Sequence, residues 1–405
     1  MTQLRVVLGL GFGDEGKGTI VDYLAREGSP PLVIRWNGGP QAAHHVVTND
    51  GRVHCFAQLG SAGFVDGSRT HLGPQMVVDP YALHAEAAAI ERVGVPDALA
   101  RVTIDPRCIL VTPWHAILGR VRELLRGDDR HGSTGRGVGE AKLGTFRLTA
   151  EHLGQRTFPA EVERVRAALI AQIEEIAAPT PSTAALVERC RDLDLRDAFL
   201  AAGDGCGSIT PTPPPADHVI LEGAQGALLD RDHGFFPHVT PSRITRAAAE
   251  AACRELGLAG ALEVWGVLRA MHTRHGEGPF PSEDAGLTAA LPEPHNRSDE
   301  AAGPFRVGWF DAVLARYAVS FAGPIDRLAV TCLDRSPPEA SIAVAWNDGA
   351  ITDLAAITMA ERTSAALTAR PVLVPAASIS AAIESIVGRH IEVASWGPRA
   401  NDKRQ

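Results

Sequence analysis

The chain has 405 residues, of which 45% are hydrophobic and 21% are charged. This composition is typical of a folded globular protein and excludes collagenous, coiled-coil and low-complexity chains. The 39 Lys and Arg residues against 48 Asp and Glu residues give a net charge of −9, which opposes broad electrostatic binding to nucleic acid or to an anionic membrane.

The six cysteines are scattered along the chain, without a CxxC pair or a metal-type spacing. The sequence therefore predicts neither a disulfide framework nor a zinc site. Met1 leads directly into a strand-like segment without a signal-peptide pattern, and no apolar run approaches the roughly 20 residues of a membrane span. We expect a cytoplasmic protein with reduced thiols.

The hydrophobic pattern predicts an α/β fold with a mostly parallel central sheet and flanking helices. Strands are predicted at 4–10, 32–35, 219–222, 262–268 and 328–332, and a hairpin at 46–56 around Asn49-Asp50-Gly51. Helices are predicted at 17–27, 79–93, 113–126 and 161–177. We expect one large α/β domain over residues 1–405, with a peripheral helical subdomain at 150–215 and a long functional loop at 127–139.

A glycine-rich turn joins the first strand to the first helix. Residues 11–18 read GFGDEGKG, which fits the GxxxxGK spacing of a phosphate-binding loop in the required strand–turn–helix context. The glycines let backbone N–H groups face a phosphate chain, and the helix N-terminus adds positive potential. The predicted nucleotide-binding residues of this loop are Gly13, Glu15, Gly16, Lys17 and Gly18.

One position departs from the usual phosphate-binding loop. Gly18 stands where a Ser or Thr normally holds magnesium, so the metal needs another oxygen ligand. Asp14, inside the loop, can offer one. An acid among phosphate-binding amides would be repelled by the phosphates unless a cation bridges them or the acid serves a neighbouring substrate.

Further motifs follow in order along nearly the whole chain. They are IVD at 20–22, RWNGG at 35–39 followed by Ala43-His44, GSTGRGVG at 132–139, EGAQG at 222–226, LD and HG within 229–234, VTPS at 239–242, GPFP at 278–281, GWFD at 308–311 and SWGP at 395–398. With GDEGKG at 13–18, this series resembles the adenylosuccinate synthetase family.

The resemblance implies a two-step ligation that uses GTP and Mg²⁺. The 6-oxygen of inosine monophosphate takes the γ-phosphate of GTP, and the amine of aspartate then displaces that phosphate. Asp14 would remove the N1 proton, His44 would stabilise the oxygen that undergoes phosphoryl transfer, and Gln225 would be the third catalytic residue. Asp14 and Ala43 would be the magnesium ligands, and the chain would form a homodimer. Deprotonation and phosphorylation are needed because an amide-like oxygen is a poor nucleophile and a poor leaving group.

The resemblance also places contacts to the two nucleotides and the amine. Those to the purine nucleotide and its partner substrate fall on Asn37, Gln41, Ser133, Thr134, Arg147, Thr240 and Arg306. Those to the base of the donor nucleotide fall on Asp334, Ser395 and Gly397.

Three ligand-binding segments differ from the family pattern. The family's TTGRRRR-like amino-acid loop reads EAAGPFRVGW at 300–309, where Pro304 replaces the expected arginine and only Arg306 remains. Each lost charge-assisted hydrogen bond is worth about 1.5–3 kcal/mol. The paired arginines expected after Gly139 are replaced by Lys142 and Arg147. The guanine-selective TKxD reads TCLD at 331–334, without its lysine.

The sequence therefore predicts a ligase that phosphorylates the 6-oxo group of a purine nucleotide, either inosine monophosphate or an analogue. Its second substrate is either aspartate or a different amine, which displaces the phosphate. Specialised nucleotide or natural-product metabolism is a candidate setting. Two alternatives remain open at this stage. One is an ATP-dependent ligase acting on a deoxy-guanine nucleotide, as in phage diaminopurine relatives. The other is a non-catalytic nucleotide-binding regulatory protein.

Overall fold

The computed structural model describes residues 2–127, 133, 135–178, 180–293 and 303–405. The strands, numbered along the chain, are β1 (Gln3–Gly9), β2 (Leu32–Arg35), β3 (His44–Val47), β4 (Val53–Phe56), β5 (Arg69–Leu72), β6 (Val77–Val78), β7 (Val102–Ile104), β8 (Ile109–Leu110), β9 (Ser208–Ile209), β10 (His218–Gly226), β11 (Leu262–Arg269), β12 (His272–His275), β13 (Phe305–Gly308), β14 (Phe310–Asp311), β15 (Arg327–Thr331), β16 (Ser341–Trp346), β17 (Pro371–Pro375), β18 (Ile391–Ser395) and β19 (Lys403–Arg404). The α-helices are α1 (Lys17–Ala25), α2 (Pro80–Glu91), α3 (Pro113–Arg126), α4 (Val138–Leu143), α5 (Phe158–Ile176), α6 (Pro181–Cys190), α7 (Leu193–Gly203), α8 (Arg246–Glu255), α9 (Ala285–Ala290), α10 (Ala312–Ala322), α11 (Met359–Leu367) and α12 (Ile379–Val387).

A ten-stranded sheet runs through the molecule in the order β19-β18-β15-β11-β1-β10-β2-β5-β7-β9. Every neighbouring pair is parallel except β18 and β19. Strand β1 lies near the middle, with Val6 opposite Leu221 of β10 and Val264 of β11. Because parallel strands end at one edge of a sheet, the turns that follow β1, β10, β2, β11, β15 and β18 meet there.

Both faces of the sheet are covered, which is why its central strands are almost continuously apolar. Leu8 of β1 packs into one hydrophobic cluster, whereas Val7 packs on the opposite face with Ile20 and Leu24 of α1. Burial of each such aliphatic side chain contributes about 1.5–3 kcal/mol. Helix α1 is thereby fixed against the sheet directly after the glycine-rich turn.

The segment predicted as a helical subdomain contains α5, α6 and α7. Trp114 of α3 donates to Cys190 O of α6 at 2.9 Å, and the rings of Phe158 and Trp114 each lie 6.1 Å from that of Phe199. Strand β9 then joins the sheet beside β7. These helices share one hydrophobic cluster with residues of α2 and α3.

The predicted α/β fold and its mostly parallel sheet are confirmed. Helix α1 is two residues shorter than predicted, because Gly28 takes a positive φ of 79° and Pro30 and Pro31 follow it. Strand β10 is longer than predicted and continues through Gly226, with a register shift against β1. In the part of the chain that the structure describes, no helix is both long and apolar enough to cross a membrane.

Candidate active site

The glycine-rich turn is organised around the carboxylate of Glu15. Its Oε1 accepts from the backbone N–H groups of Gly11 at 2.9 Å and Gly13 at 2.8 Å, and its Oε2 accepts from Lys17 Nζ at 2.7 Å. Glu15 and Lys17 are both buried. A Cβ on Gly226 would lie only 2.2 Å from Glu15 Oε1, so glycine is required where β10 passes this turn. The expected phosphate-binding loop is thus a compact cradle at the end of β1.

Asp14 projects from this turn in a left-handed conformation, with φ of 60°. Its Oδ2 lies 3.2 Å from Nε2 of His275, and Arg269 Nη1 donates to its backbone oxygen at 3.4 Å. Burial alone would raise the pKa of Asp14, but the hydrogen bond and charge of His275, with the charges of Arg269 and Lys17, outweigh burial and lower it. The carboxylate is therefore held in its ionised form, which a base or a magnesium ligand requires.

His44 begins β3 and lies against the first turn of α1. A Cβ on Gly18 would stand 2.6 Å from the Cβ of His44 and 3.1 Å from Ser61 Oγ. The missing side chain at Gly18 therefore has a structural reason, because any larger residue would displace His44. Ala43, which precedes His44, is exposed and offers only its backbone oxygen to a metal.

His44 is part of a buried charged network. Its Nδ1 lies 2.5 Å from Glu222 Oε1 of β10, which also receives the Ser61 hydroxyl, and Ser61 N donates to Glu222 Oε2 at 2.9 Å. Burial would raise the pKa of Glu222, but the nearby Arg35 charge and the bonds from His44 and Ser61 lower it to about 2. Glu222 is therefore a permanent carboxylate at neutral pH.

The same network sets the state of the His44 ring. Burial lowers the pKa of His44, and the Glu222 charge opposes this only in part because Arg35 and Lys17 act in the same direction as burial. Without bound substrate, His44 is accordingly neutral at pH 7. Its Nδ1–H donates to Glu222, and its Nε2 is left for a ligand. Binding of anionic phosphates would favour the protonated ring, which could then donate from Nε2.

A second polar group surrounds the turn at Gly38 and Gly39. Asn37 Oδ1 accepts from Ala224 N at 2.8 Å, which connects the end of β2 to β10. The side-chain oxygens of Gln41 and Gln225 are buried and have no hydrogen-bond partner among the described residues. Buried polar groups of this kind are usually satisfied by a ligand or water. The two amides thus favour a polar ligand beside this turn, as predicted for the purine nucleotide.

The remaining predicted acceptor contacts are less closely gathered. Ser133 is exposed and accepts from Gly135 N at 3.2 Å, Thr240 donates its backbone N–H to Leu229 O at 2.8 Å, and Arg147 donates to Gly144 O at 3.2 Å on the surface. Thr134 lies outside the described residues, as does the start of the altered loop at 300–302. Their roles as ligand contacts stay predictions.

Arg306 is already bonded within the protein. Its Nη1 donates to Glu283 Oε2 at 2.7 Å, and its Nη2 donates to Gly276 O at 2.6 Å and Gly278 O at 3.0 Å. These bonds connect β13 to the segment that carries the GPFP motif. A direct contact between Arg306 and a substrate stays a prediction.

The predicted donor-base residues lie at one end of the sheet. Strands β15 and β18 are parallel neighbours, with Val330 opposite Ala394, so the turns that contain Asp334 and Gly397 follow adjacent strand ends. Asp334 is exposed, and Ser395 is buried with its hydroxyl on Gly397 O at 3.0 Å. The arrangement agrees with a base-binding site that begins beside α1.

The segment predicted to contact the donor base is also connected to α1. Thr19 Oγ1 of α1 donates to Pro398 O at 2.8 Å, and buried Lys403 donates to Thr19 Oγ1 at 2.6 Å and Arg399 O at 2.8 Å. Burial lowers the pKa of Lys403 to about 8. These bonds fix the segment at 397–399 against α1.

Four residues around the predicted catalytic pair have no role predicted from the sequence. Glu222 bonds to His44, Ser61 bonds to Glu222, the charge of Arg35 lowers the pKa of Glu222, and His275 bonds to Asp14. Glu222 belongs to a motif that the sequence analysis identified, so it could have been singled out. Ser61 and His275 have no local sequence signal, because their partners are distant in the chain.

Asp14 also provides the chemistry that magnesium needs. Mg²⁺ is commonly bound by one or two carboxylates together with substrate phosphates and water. Among the described residues there is no group of three or more His, Cys, Asp or Glu side chains suited to a metal. The ionised carboxylate of Asp14, beside a phosphate-binding loop, fits the phosphate-bridged mode.

Comparisons with known proteins found relatives by sequence and by structure. The model of the adenylosuccinate synthetase family matches residues 6–402. The chain is 33% identical to the adenylosuccinate synthetase of Magnetococcus marinus over 353 residues, which are 81% of this chain and 77% of that protein. It is 31% identical to that of Caldicellulosiruptor bescii over 373 residues, covering 87% of this chain and 84% of the relative.

Two solved structures share the fold. Fully ligated adenylosuccinate synthetase from Plasmodium falciparum superposes with a TM-score of 0.77 at 22% identity, covering 99% of each chain. The succinoaminodeoxyadenylate synthetase of cyanophage S-2L, bound to dGMP and to dATP as an energy donor, gives a TM-score of 0.60 at 20% identity. That match covers 100% of this chain and 95% of the phage protein.

Proposed function

The chain belongs to the adenylosuccinate synthetase family, and we propose that it phosphorylates the 6-oxo group of inosine monophosphate or a close analogue with GTP. The family is one of C–N ligases that use GTP and Mg²⁺, so the chain is a purine nucleotide C–N ligase. In the second step, aspartate or a different amine displaces the phosphate. A cytoplasmic homodimer is the form in which we expect the enzyme to act.

The observation that carries this proposal is that Asp14 lies within the glycine-rich turn and that His44 packs against the first turn of the helix that follows it. Asp14 is ionised, and His44 packs closely against Gly18 of α1. An acid can take the N1 proton and so make the 6-oxygen nucleophilic, while a histidine N–H can stabilise charge on the oxygen that receives the phosphoryl group. A protein that only senses nucleotide needs neither group.

The residues divide the work of the first step. Lys17, which also bonds to Glu15, and backbone N–H groups of the turn other than those of Gly11 and Gly13 would bind the phosphates. Glu222 orients the His44 ring through Nδ1, and Asp14 would accept the proton at its carboxylate. Bound Mg²⁺ would neutralise phosphate charge, with Asp14 and the Ala43 carbonyl as the protein oxygens that could hold it. Gln41 and Gln225 would orient the purine nucleotide through their amides.

A second candidate function keeps the same chemistry with ATP and a deoxy-guanine nucleotide. Cys332 occupies the position of the guanine-packing lysine, which weakens the preference for GTP, and the phage enzyme with a shared fold was solved with dGMP and dATP. The retained carboxylate of Asp14 supports an acceptor that must lose its N1 proton. A panel of acceptors and donors distinguishes the two.

The decisive experiment is mass spectrometry of the purified chain with inosine monophosphate, GTP, Mg²⁺ and aspartate. Parallel reactions replace GTP by ATP, inosine monophosphate by dGMP, and aspartate by ammonia. Adenylosuccinate is the expected product with the first set. A folded chain that binds GTP but forms no C–N product from any combination would contradict the proposal. The Asp14→Asn variant controls for a contaminating enzyme.

A further inference from the structure

One carboxylate oxygen of Glu293 accepts from two guanidinium groups. Arg269 Nη2 and Arg335 Nη1 both donate to Glu293 Oε1, and Arg335 Nη2 donates to Pro292 O at 2.9 Å. Arg269 ends β11, and Arg335 lies in the turn after β15, the parallel neighbour of β11. The arginines are therefore positioned by the sheet, whereas Glu293 comes from the segment that follows α9.

Arg269 of this pair lies beside the predicted reaction centre. Arg269 Nη1 donates to Asp14 O at 3.4 Å, and the Arg269 charge is one of the influences that lower the pKa of Asp14. Only 7% of the Arg269 surface is exposed, and its Nε has no hydrogen-bond partner among the described residues. A buried guanidinium with a free donor, next to a catalytic carboxylate, is suited to bind an anionic group of a substrate.

We propose that Arg269 and Arg335 bind the carboxylate of the amine co-substrate, and that Glu293 holds this site when the substrate is absent. This rests on the proposed function, since it assumes that an amine is ligated beside Asp14. The present occupant indicates the ligand class, because the pair already binds a carboxylate. Exchange of one carboxylate for another keeps the buried guanidinium paired, whereas leaving it empty would expose an uncompensated buried charge.

The arginines of β12 and β13 are less suited to this role. Arg306 bonds to Glu283, Gly276 O and Gly278 O, and Arg274 donates to Glu277 O at 3.2 Å and Pro279 O at 3.0 Å. Both guanidinium groups are thus used to hold the 276–283 segment. Arg269 and Arg335 also bond to the backbone oxygens of Asp14 and Pro292, but the group that they share is one side chain, Glu293, which can rotate away.

The test compares Arg335→Met with Arg327→Met in the full chain, using inosine monophosphate, GTP and Mg²⁺. Arg327 is a matched control, because it begins β15, the strand that leads to Arg335. It also pairs with two carboxylates, those of Glu263 and Glu392. Arg335→Met should raise KM for aspartate at least about tenfold. This factor corresponds to the loss of one charge-assisted hydrogen bond at the low end of its usual energy, about 1.5 kcal/mol. Because Arg335 follows Asp334 in the turn predicted to bind the donor base, GTP is kept saturating in these assays. The rate with ammonia, which has no carboxylate, should then stay within about twofold of wild type, as should every parameter of the control.

The Glu293→Gln variant tests the exchange itself. Removing the internal carboxylate removes a competitor, so KM for aspartate should fall. Equal effects of Arg335→Met and Arg327→Met, a rise in KM for GTP without a rise for aspartate, or a parallel loss of the ammonia-dependent rate would each overturn the proposal.

A binding measurement separates this inference from the proposed function. Calorimetric titration with succinate needs no turnover, and wild type should bind it at least about tenfold more tightly than Arg335→Met does. If wild type makes no C–N product but succinate binding depends on Arg335, the proposed function fails and the carboxylate site stands. If wild type ligates aspartate and Arg335→Met behaves like wild type in both assays, the carboxylate site fails alone.

Discussion

Replacing Glu222 with Gln should cost the fold about 3 kcal/mol at pH 7. The pKa of Glu222 falls from 4.5 to about 2, and each unit corresponds to about 1.36 kcal/mol. Because the folded pKa is depressed, this stabilisation is complete above pH 4.5 and is lost as pH falls toward 2. The Gln side chain does not titrate, so the difference between wild type and variant should shrink over that same range.

The structure gives the cause of this cost. Glu222 accepts from Ser61 N, the Ser61 hydroxyl and His44 Nδ1, and it is the counter-charge to Arg35, two of whose guanidinium nitrogens have no other partner among the described residues. A Gln side chain has only one oxygen, so it cannot replace both carboxylate oxygens in accepting the three bonds. It also leaves the buried arginine without a charge partner.

Urea denaturation at several pH values from 7 down toward 2, followed by circular dichroism, measures the effect. Glu392→Gln is the control, because its carboxylate pairs with Arg327 at the surface, where an ion pair contributes about 0–1 kcal/mol. A Glu222→Gln variant within about 1 kcal/mol of wild type at pH 7, or a difference that does not shrink in acid, would refute the reasoning.

Three further variants test the site. Asp14→Asn should keep the fold, since Asn tolerates the left-handed backbone. It should lower kcat about 10²–10⁴-fold in a product assay, and near-normal turnover would exclude Asp14 as the base. Gly18→Ala should displace His44 and lower kcat at least about tenfold, with a smaller change in GTP affinity by calorimetry; unchanged kcat would contradict the close contact. Arg306→Met should reduce the free energy of unfolding by about 1–3 kcal/mol in urea and raise KM for the amine less than Arg335→Met does; the opposite order would assign Arg306 to the substrate.

Much of the fold follows from local sequence signals. The strand at 32–35 and the helix at 113–126 are found with their predicted bounds, because an apolar run ended by glycines and a Thr-Pro start are strong local signals. The extension of β10 to Gly226 was not predictable in the same way. It depends on a register shift against β1, whose position only the assembled sheet sets.

The candidate site is likewise predictable from the sequence only where the signal is local. The prediction that Lys17 binds phosphate follows from spacing within one turn, whereas the partner of His44 lies 178 residues away in the sequence at Glu222. The bond from Arg269 to Asp14 likewise spans 255 residues. Sequence alone could propose His44 and Asp14 through a family resemblance, but it could not show what holds them or sets their protonation states.

The altered ligand loops and the retained reaction centre are compatible because different elements hold them. Asp14, His44 and Glu222 depend on the ends of β1 and β10 and on the start of α1, where buried bonds and close glycine contacts resist substitution. In the described part of the predicted amino-acid loop, Phe305 packs against His275, the partner of Asp14, whereas the backbone oxygen of Pro304 accepts from Gly276 N at 3.0 Å. We therefore expect Pro304, in place of the arginine, to leave Asp14 in position. A carboxylate site at Arg269 and Arg335 would preserve the distance to Asp14, since Arg269 bonds directly to the phosphate-binding turn. Recognition of the amine can therefore change while the activation step is kept.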